Sequence, residues 1–454
     1  MQKKVQNKSF GLFFCIYAKK VVPLRAIVVQ KRQMAIKQHI KTTFRDNKKV
    51  AENYLFMTLL QVLNVCFYFI VYPFLIVRLG REGYGTYAFA WSVVCIAMAV
   101  VNFGFDLPGA KRVAQIMADG GDKKQLSELL SHVQTAKVFL ELIVAAAYVV
   151  LLVAVPFLRE HYVVFAIGFA QTLTCIIFPQ WYFQGVQRMR FVTYIQVGCK
   201  LLSLPFIFWL LHTPNDVWLF MLISTSATVF GAAIAWLLIR FKDGVRMPLV
   251  RPSGLKPYYA EAFPFFLTNA MGIVKEQGVV LLTGAFLGMA DVPIFDLANK
   301  IVTVPRILLL KLNDALYPKI VVQSTAREVK RIMKTEVLLG LLVVAIVAGV
   351  GKWLILWLGH GELPTAYPVS IILSTTVLFW MVGTAFINFV FVPTNNRYLV
   401  TANQVVALVS CLSIAAIWLW LSPSVYGVAA AIAISGLCEV VFCSIVTKKK
   451  QLLA

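Results

Sequence analysis

The sequence predicts an all-α integral membrane protein, with about twelve transmembrane helices in two six-helix lobes around a central cavity. Three observations predict it. The chain is 60% hydrophobic and only 14% charged over 454 residues, whereas a soluble protein is roughly half apolar and about a quarter charged. Apolar runs near the roughly 20 residues needed to cross hydrocarbon recur along its whole length. Basic residues are distributed unevenly between alternate loops, as membrane orientation requires. This composition leaves too little polar surface to cover a soluble core. It excludes a soluble enzyme, a secreted domain and a disordered chain, and it leaves no room for a large soluble domain.

Taken in order, residues 1–52 form a basic cytoplasmic N-terminal arm with 13 Lys and Arg. Their one apolar run, Phe10–Ala18, is too short to span and lacks a cleavage site. Met34 opens a second plausible start, and residues 1–33 are expected not to be translated. Twelve spans follow, at 53–77, 84–106, 133–158, 161–183, 192–212, 215–240, 259–288, 291–318, 334–358, 365–394, 398–421 and 424–446. Helices 1–6 make an N-lobe, 53–240. A cytoplasmic linker, 241–257, leads to a C-lobe of helices 7–12, 258–446, and a basic cytoplasmic tail, 447–454. Pro264, Pro305 and Pro393 should kink or end their helices. The linker 107–132 looks amphipathic and suits the membrane surface.

Loop charge supports the register. With both termini inside, cytoplasmic segments hold 33 Lys and Arg and outer loops hold three: Arg78, Arg81 and Arg159. The net charge of +23 is thus read as topology, and no nucleic-acid partner is expected. The two halves carry a faint repeat. LGREGYGTYAFA (Leu79–Ala90) and LGMADVPIFDLA (Leu287–Ala298) begin with Leu-Gly, end in Ala and share an aromatic at the ninth position. Each joins the first two spans of its half, as expected of parallel repeats.

Eight cysteines form no CxxC or Cys/His pattern suited to zinc. No metal and no cofactor are expected. There is no phosphate-binding loop of the ATPase kind and no Ser/His/Asp set, so the chain is not expected to be an enzyme.

Charges inside spans are costly and usually face protein or a wet cavity. They concentrate in spans seven and eight: Glu261, Lys275, Glu276, Asp296, Lys300, Arg306, Lys311 and Asp314. Others are Lys137, Glu141, Lys200, Lys352 and Glu439. At about 100° per residue, Asp296, Asn299, Lys300, Thr303, Arg306, Lys311 and Asp314 share an arc of roughly 140° on span eight. Asn53, Gln61, Asn64 and Tyr68 align on span one within roughly 80°. Such stripes predict a hydrated cavity. The competing reading is that charges only pair to tolerate insertion, Asp296 with Lys300 and Lys137 with Glu141. Candidate substrate-binding residues are Arg306, Lys275, Lys300, Lys311, Asn64 and Gln61, with Arg306 favoured because it has the least obvious local partner and a fork suited to phosphate. Candidate ion-coupling residues are Asp296, Asp314 and Glu276.

The stretch PQWYFQGVQRMRFVTY (Pro179–Tyr194) resembles the Pro-x-Trp-Phe-Phe-Gln-Gly-x-x-x-Met motif of Wzx/RfbX-type flippases of O-antigen and exopolysaccharide units, matching at Pro179, Trp181, Phe183, Gln184, Gly185 and Met189. The likeness runs from about residue 48 to the end of the chain. The resemblance implies the fold of the multidrug/oligosaccharidyl-lipid/polysaccharide exporters. It implies a flippase that moves undecaprenyl-diphosphate-linked oligosaccharide from the cytoplasmic to the outer leaflet of the bacterial inner membrane, by alternating access and without ATP. The implied partners are the lipid-linked oligosaccharide, the lipid bilayer and the polysaccharide polymerase machinery. The alternative is a multidrug/cation antiporter of the same superfamily, whose cavity should be acidic or aromatic rather than cationic.

Overall fold

In a computed structural model, the backbone is described for residues 3–323, 326–394 and 396–452. Side chains are described from residue 52 onward, apart from 253, 308, 310–328, 330, 395, 397 and the last two residues. The candidate side chains Lys311 and Asp314 therefore lie outside the described set. The chain divides into Met1–Met57 and Thr58–Ala454. The first unit is the start of a helix that begins at Lys3. The second carries everything that follows.

Among the described residues the structure is helical, with no strand. The helices are α1 (Lys3–Asn102), α2 (Asp106–Ala118), α3 (Lys123–Ala154), α4 (Pro156–Glu160) and α5 (Tyr162–Phe169). Next come α6 (Thr174–Ile177), α7 (Gln180–Gly185), α8 (Met189–Leu210), α9 (Val217–Leu237) and α10 (Lys256–Leu287). The last are α11 (Val292–Gln323), α12 (Ala326–Leu358), α13 (Ala366–Phe386), α14 (Arg397–Leu421) and α15 (Val425–Lys449). Among the described residues, ten stretches are long and apolar enough to cross a membrane. One is the 51-residue stretch Glu52–Asn102, which Gly80 breaks with φ 69° and ψ 178°. The expected spans 53–77 and 84–106 fall on either side of that break. The span expected at 291–318 coincides with α11, which is not among the ten.

Gly288 repeats the break. It sits at φ 102° and ψ 164° between α10 and α11, 208 positions after Gly80. Both glycines follow a leucine in the repeated segment, and both take backbone angles that a side chain would disfavour. The sequence repeat is therefore also a repeat of backbone conformation.

Two details differ from the sequence reading. The span expected at 161–183 is not one helix. It is α5, a tight turn at Ala170–Leu173, α6 and α7, with a break at Phe178–Pro179. The amphipathic linker helix stops at Ala118, because Gly120 and Gly121 turn the chain with positive φ. Asp122 then caps α3 by accepting from the Lys124 N–H at 2.9 Å. Pro264 and Pro305 sit inside uninterrupted helices, while Pro393 lies in a turn after the wider helical segment Ile387–Phe391.

Large apolar side chains such as Leu142, Ile143, Trp209, Trp353 and Trp420 are exposed. In water this would be unfavourable. On helices that satisfy their own backbone hydrogen bonds it is the surface that lipid requires. The main buried core includes Tyr72, Tyr84, Phe165 and Met221 together with Val279, Phe295, Leu373 and Val428. These residues lie toward the end of the helices marked by Gly80 and Gly288. A smaller core, including Val329, Phe389 and Cys443, lies at the other end.

Candidate substrate cavity

A cavity of about 460 Å³ opens between α1, α8, α10 and α11. α11 turns Asp296, Asn299, Lys300, Thr303 and Arg306 toward it, and α1 contributes Gln61, Asn64 and Tyr68. The helical phase of the sequence had placed these residues on common arcs. Glu276 from α10 and Lys200 from α8 complete the charged lining.

The charges are tied together across helices. Arg306 Nη2 lies 2.9 Å from Glu276 Oε1. Arg306 has no obvious partner in the sequence because the two residues are 30 positions apart on different helices. Asp296 takes three neighbours. Tyr84 donates its hydroxyl to Oδ2 at 2.7 Å and Tyr68 does so at 3.3 Å. Lys300 Nζ stands 4.0 Å from Oδ1, at the outer limit of an ion pair. The Lys300 ammonium also lies over the Tyr68 ring at 5.3 Å, a favourable cation–π placement. Lys200 donates to Asn64 Oδ1 at 2.7 Å and has no carboxylate partner among the described residues. It is the cation that sequence reasoning left off the candidate list. Its signal was present: Thr193, Gln196, Lys200 and Ser203 recur at helical spacing along span five and share one face.

Lys275 does not line this cavity. It is paired with Glu439 at 2.7 Å, and Asn403 donates to the other oxygen of the same carboxylate at 3.4 Å. The pair borders a smaller adjacent pocket that also touches Glu276, Asn299 and Arg306. The expected Lys137–Glu141 pairing is absent. Lys137 is almost fully buried and binds Asn102, the Cys175 carbonyl at 3.1 Å and Asp106 at 3.7 Å. Glu141 instead accepts from Thr172 at 2.6 Å. One turn of helix puts both on one face, but the partners on neighbouring segments capture each separately.

The Gly80 end is closed by the two repeat segments packed on each other. Arg81 donates to the Ala290 carbonyl at 3.2 and 3.1 Å and stands 3.7 Å from Asp291. Burial raises the Asp291 carboxyl pKa, and the nearby Arg81 opposes that shift. Tyr72 donates to the Pro293 carbonyl at 3.2 Å. Gly85 lies so close to the Met289 carbonyl that no side chain fits between them. The opposite end is bridged as well. Phe103 stacks on Phe266 at 4.5 Å, Arg112 pairs with Glu261 and Tyr259 donates to the Ala136 carbonyl at 2.8 Å.

The Pro179–Gly185 motif lies away from the cavity. Trp181, Tyr182, Phe183 and Gly185 are buried, while Gln184 is exposed. The Trp181 ring covers Gly109 of α2, where a Cβ would sit 2.7 Å from it. Gly185 meets Val113 and the Ala110 carbonyl, which a Cβ would approach to 2.6 and 2.8 Å. Tyr182 and Arg188 both bind Asp243, at 2.9 and 2.6 Å. The motif is thus a packing joint that fastens α7 to α2 and to the segment after α9.

Comparison with known proteins agrees with this architecture. The family model described as "Polysaccharide biosynthesis protein" matches residues 50–324, more than half of the chain. The chain belongs to this family. A curated relative from Escherichia coli (strain K12), named "Putative O-antigen transporter", is 24% identical over 268 residues. The match covers 59% of this chain and 64% of the relative. A protein of the same name from Shigella dysenteriae is 24% identical, over 59% of this chain and 67% of that one. This family member therefore spans just under two thirds of the first relative's length in the matched region. Among solved structures, an inward-facing multidrug resistance MATE family transporter of the MOP superfamily matches with a TM-score of 0.65 at 13% identity, over 87% of this chain and 96% of that one. The lipid II flippase MurJ, inward closed, matches at 0.62 and 12% identity, over 84% and 87%. The fold is that of these membrane transporters.

Proposed function

We propose that the protein is a flippase for an undecaprenyl-diphosphate-linked oligosaccharide, carrying it from the cytoplasmic to the outer leaflet of a bacterial inner membrane. The observation that carries this reading is the cationic cavity, in a member of a polysaccharide biosynthesis family: Lys200 faces it with no carboxylate partner among the described residues, and Lys300 with only the marginal one of Asp296 at 4.0 Å. A diphosphate cannot cross hydrocarbon unaided, and a water-filled cavity lined by cations replaces its hydration. Lys200 and Lys300 attract the diphosphate first. Arg306 joins them by exchanging Glu276 for phosphate, for which its planar fork is suited. Asn64 and Gln61 supply amide contacts. Lys311, which sequence spacing alone puts on the same arc, would extend the cationic set, and Lys275 supports Arg306 from the neighbouring pocket. Asp296, Asp314 and Glu276 restrain over-tight binding and are candidates for ion coupling.

Transport proceeds by alternating access between two six-helix lobes, 53–240 and 258–446, joined by the linker 241–257. Both termini are cytoplasmic, so the Gly80 end faces outward, and the contact of the two repeat segments is the outer closure. The polymerase machinery receives the product. No nucleic acid is involved. The relatives' names support a transporter rather than a polymerase or ligase. Likeness to MATE transporters keeps one second reading, a multidrug/cation antiporter.

Binding to the purified protein in nanodiscs distinguishes the two. Undecaprenyl diphosphate should bind at least tenfold more tightly than undecaprenol, and that preference should shrink in Lys200→Ala and Lys300→Ala. Equal binding of the two lipids, with tight binding of ethidium, would favour the antiporter.

A further inference from the structure

A second chamber of about 300 Å³ adjoins the central cavity and shares with it Phe67, Tyr87, Trp91, Lys200 and Phe220. Beyond that mouth its wall is uncharged and mixed, with apolar residues such as Phe178, Ile195 and Met221 beside polar ones. The polar ones include Gln171, Gln196, Ser203, Ser224 and Thr228. Apart from Lys200, no charged residue lines it among the described residues. Gln171 is held across the chamber by long hydrogen bonds, 3.4 Å to Thr228 and 3.5 Å from Thr225. The Trp91 indole N–H and the Gln196 amide have no protein partner among the described residues.

This combination fits a narrow class of ligand. A lipid tail would leave the Trp91 indole N–H and the Gln196 amide unsatisfied, at a cost of about 1–3 kcal/mol each when buried, whereas the Ser203 and Thr228 hydroxyls already donate to backbone carbonyls of their own helices. An organic cation would meet the Lys200 ammonium at the mouth. A pyranose satisfies both surfaces. Its C–H face covers an aromatic ring, and its hydroxyls exchange hydrogen bonds with amides and side-chain hydroxyls. Tryptophan offers such a face together with a polar N–H. Position adds to the argument. Lys200 belongs to both cavities, so a diphosphate held there directs whatever is esterified to it into this chamber.

We propose that the Trp91–Gln171–Gln196 chamber is a sugar subsite, which seats the monosaccharide joined directly to the diphosphate. The inference rests on the flippase reading and deepens it. A shared cation anchors the anion, and the uncharged chamber selects the sugar. Specificity for the repeat unit would then lie among α1, α8 and α9, not on α11.

The test compares lipids bound to the full chain in nanodiscs. The probes are undecaprenyl diphosphate alone and the same lipid bearing one N-acetylglucosamine, N-acetylgalactosamine, glucose or galactose. In the wild type, at least one sugar should tighten binding tenfold or more over the bare carrier. Trp91→Ala and Gln196→Ala should remove that increment, and Gln196→Ala, which lies outside the central cavity, should leave the affinity for the bare carrier within twofold. Trp91→Phe, which keeps an aromatic face, should restore part of it. Lys300→Ala should weaken bare and sugar-bearing lipids alike, which reports the anion site separately. The proposal is overturned if no sugar tightens binding to the wild type, or if the increment survives in both Trp91→Ala and Gln196→Ala. If the bare carrier and every glycolipid fail to bind, the flippase reading fails and the subsite falls with it. Unchanged melting temperatures in the variants distinguish loss of a contact from loss of the fold.

Discussion

Lys200 is the side chain on which the cavity chemistry turns. An ammonium within the membrane is costly unless something compensates it, and here the compensation is an amide oxygen, Asn64 Oδ1 at 2.7 Å, and the face of the Phe67 ring at 5.3 Å, with no carboxylate among the described residues. A charge left in that condition is available to an anionic ligand. Hydrogen bonds to charged groups contribute about 1.5–3 kcal/mol. Lys200→Ala should therefore lower the transport rate roughly ten- to hundredfold, and Lys200→Arg should retain more than Lys200→Ala. Arg306 poses the opposite case, since it is already paired with Glu276 at 2.9 Å. Glu276→Gln removes the competitor. It should tighten binding of undecaprenyl diphosphate while slowing turnover, and measuring affinity and rate on the same preparation checks both. Weaker binding in Glu276→Gln would mean that Glu276 positions Arg306 instead of competing for it.

The polar face of α11 was legible in the sequence, because helical phase follows from spacing alone. Asp296, Asn299, Lys300, Thr303 and Arg306 do line one cavity. Phase does not say what a face meets. Arg306 to Glu276 and Lys275 to Glu439 are pairs across helices, the second separated by 164 positions. The wall of the sugar chamber was invisible for the same reason. Trp91, Gln171 and Gln196 are unremarkable singly and acquire meaning only when three segments bring them together.

At the scale of elements, the Trp-aromatic-Phe-Gln-Gly motif was visible as a resemblance, but its role was not. The motif alone does not distinguish interface anchoring, substrate contact and packing, and the structure places its buried residues in a helix joint. Overpacking such a joint costs about 1–3 kcal/mol, occasionally more. Gly185→Leu and Gly109→Leu should each lower the melting temperature and the membrane yield, whereas Gln184→Ala, at an exposed position, should leave both unchanged. Normal stability in both glycine variants would show that α2 and α7 can separate freely. The span at 161–183 illustrates a related limit. Its apolar composition predicted a single helix, but composition does not reveal the local turn at Ala170–Leu173 or the break at Phe178–Pro179.

For the whole molecule, the repeat that the sequence showed only faintly is a contact between its own two copies. Arg81 reaches Ala290 and Asp291, and Tyr84 reaches Asp296. If this contact is the outer closure, fixing it should stop transport. A bifunctional thiol reagent with a reducible linker, applied to Arg81→Cys/Asp291→Cys in a background without other cysteines, should abolish flipping. Reduction should restore it. Crosslinking that proceeds to completion without loss of flipping would remove this contact from the transport cycle.

The central claim is that a cationic cavity carries a lipid-linked diphosphate across the bilayer. The most direct measurement is flipping in proteoliposomes, with undecaprenyl-diphosphate-linked oligosaccharides loaded and a membrane-impermeant glycosidase added outside. Wild-type protein should expose inner-leaflet substrate to the enzyme, and the Lys200→Ala/Lys300→Ala double variant, inserted at equal density, should expose it at least a hundredfold more slowly. Flipping by the double variant at the wild-type rate, or no flipping by the wild type with any oligosaccharide tested, would contradict the account.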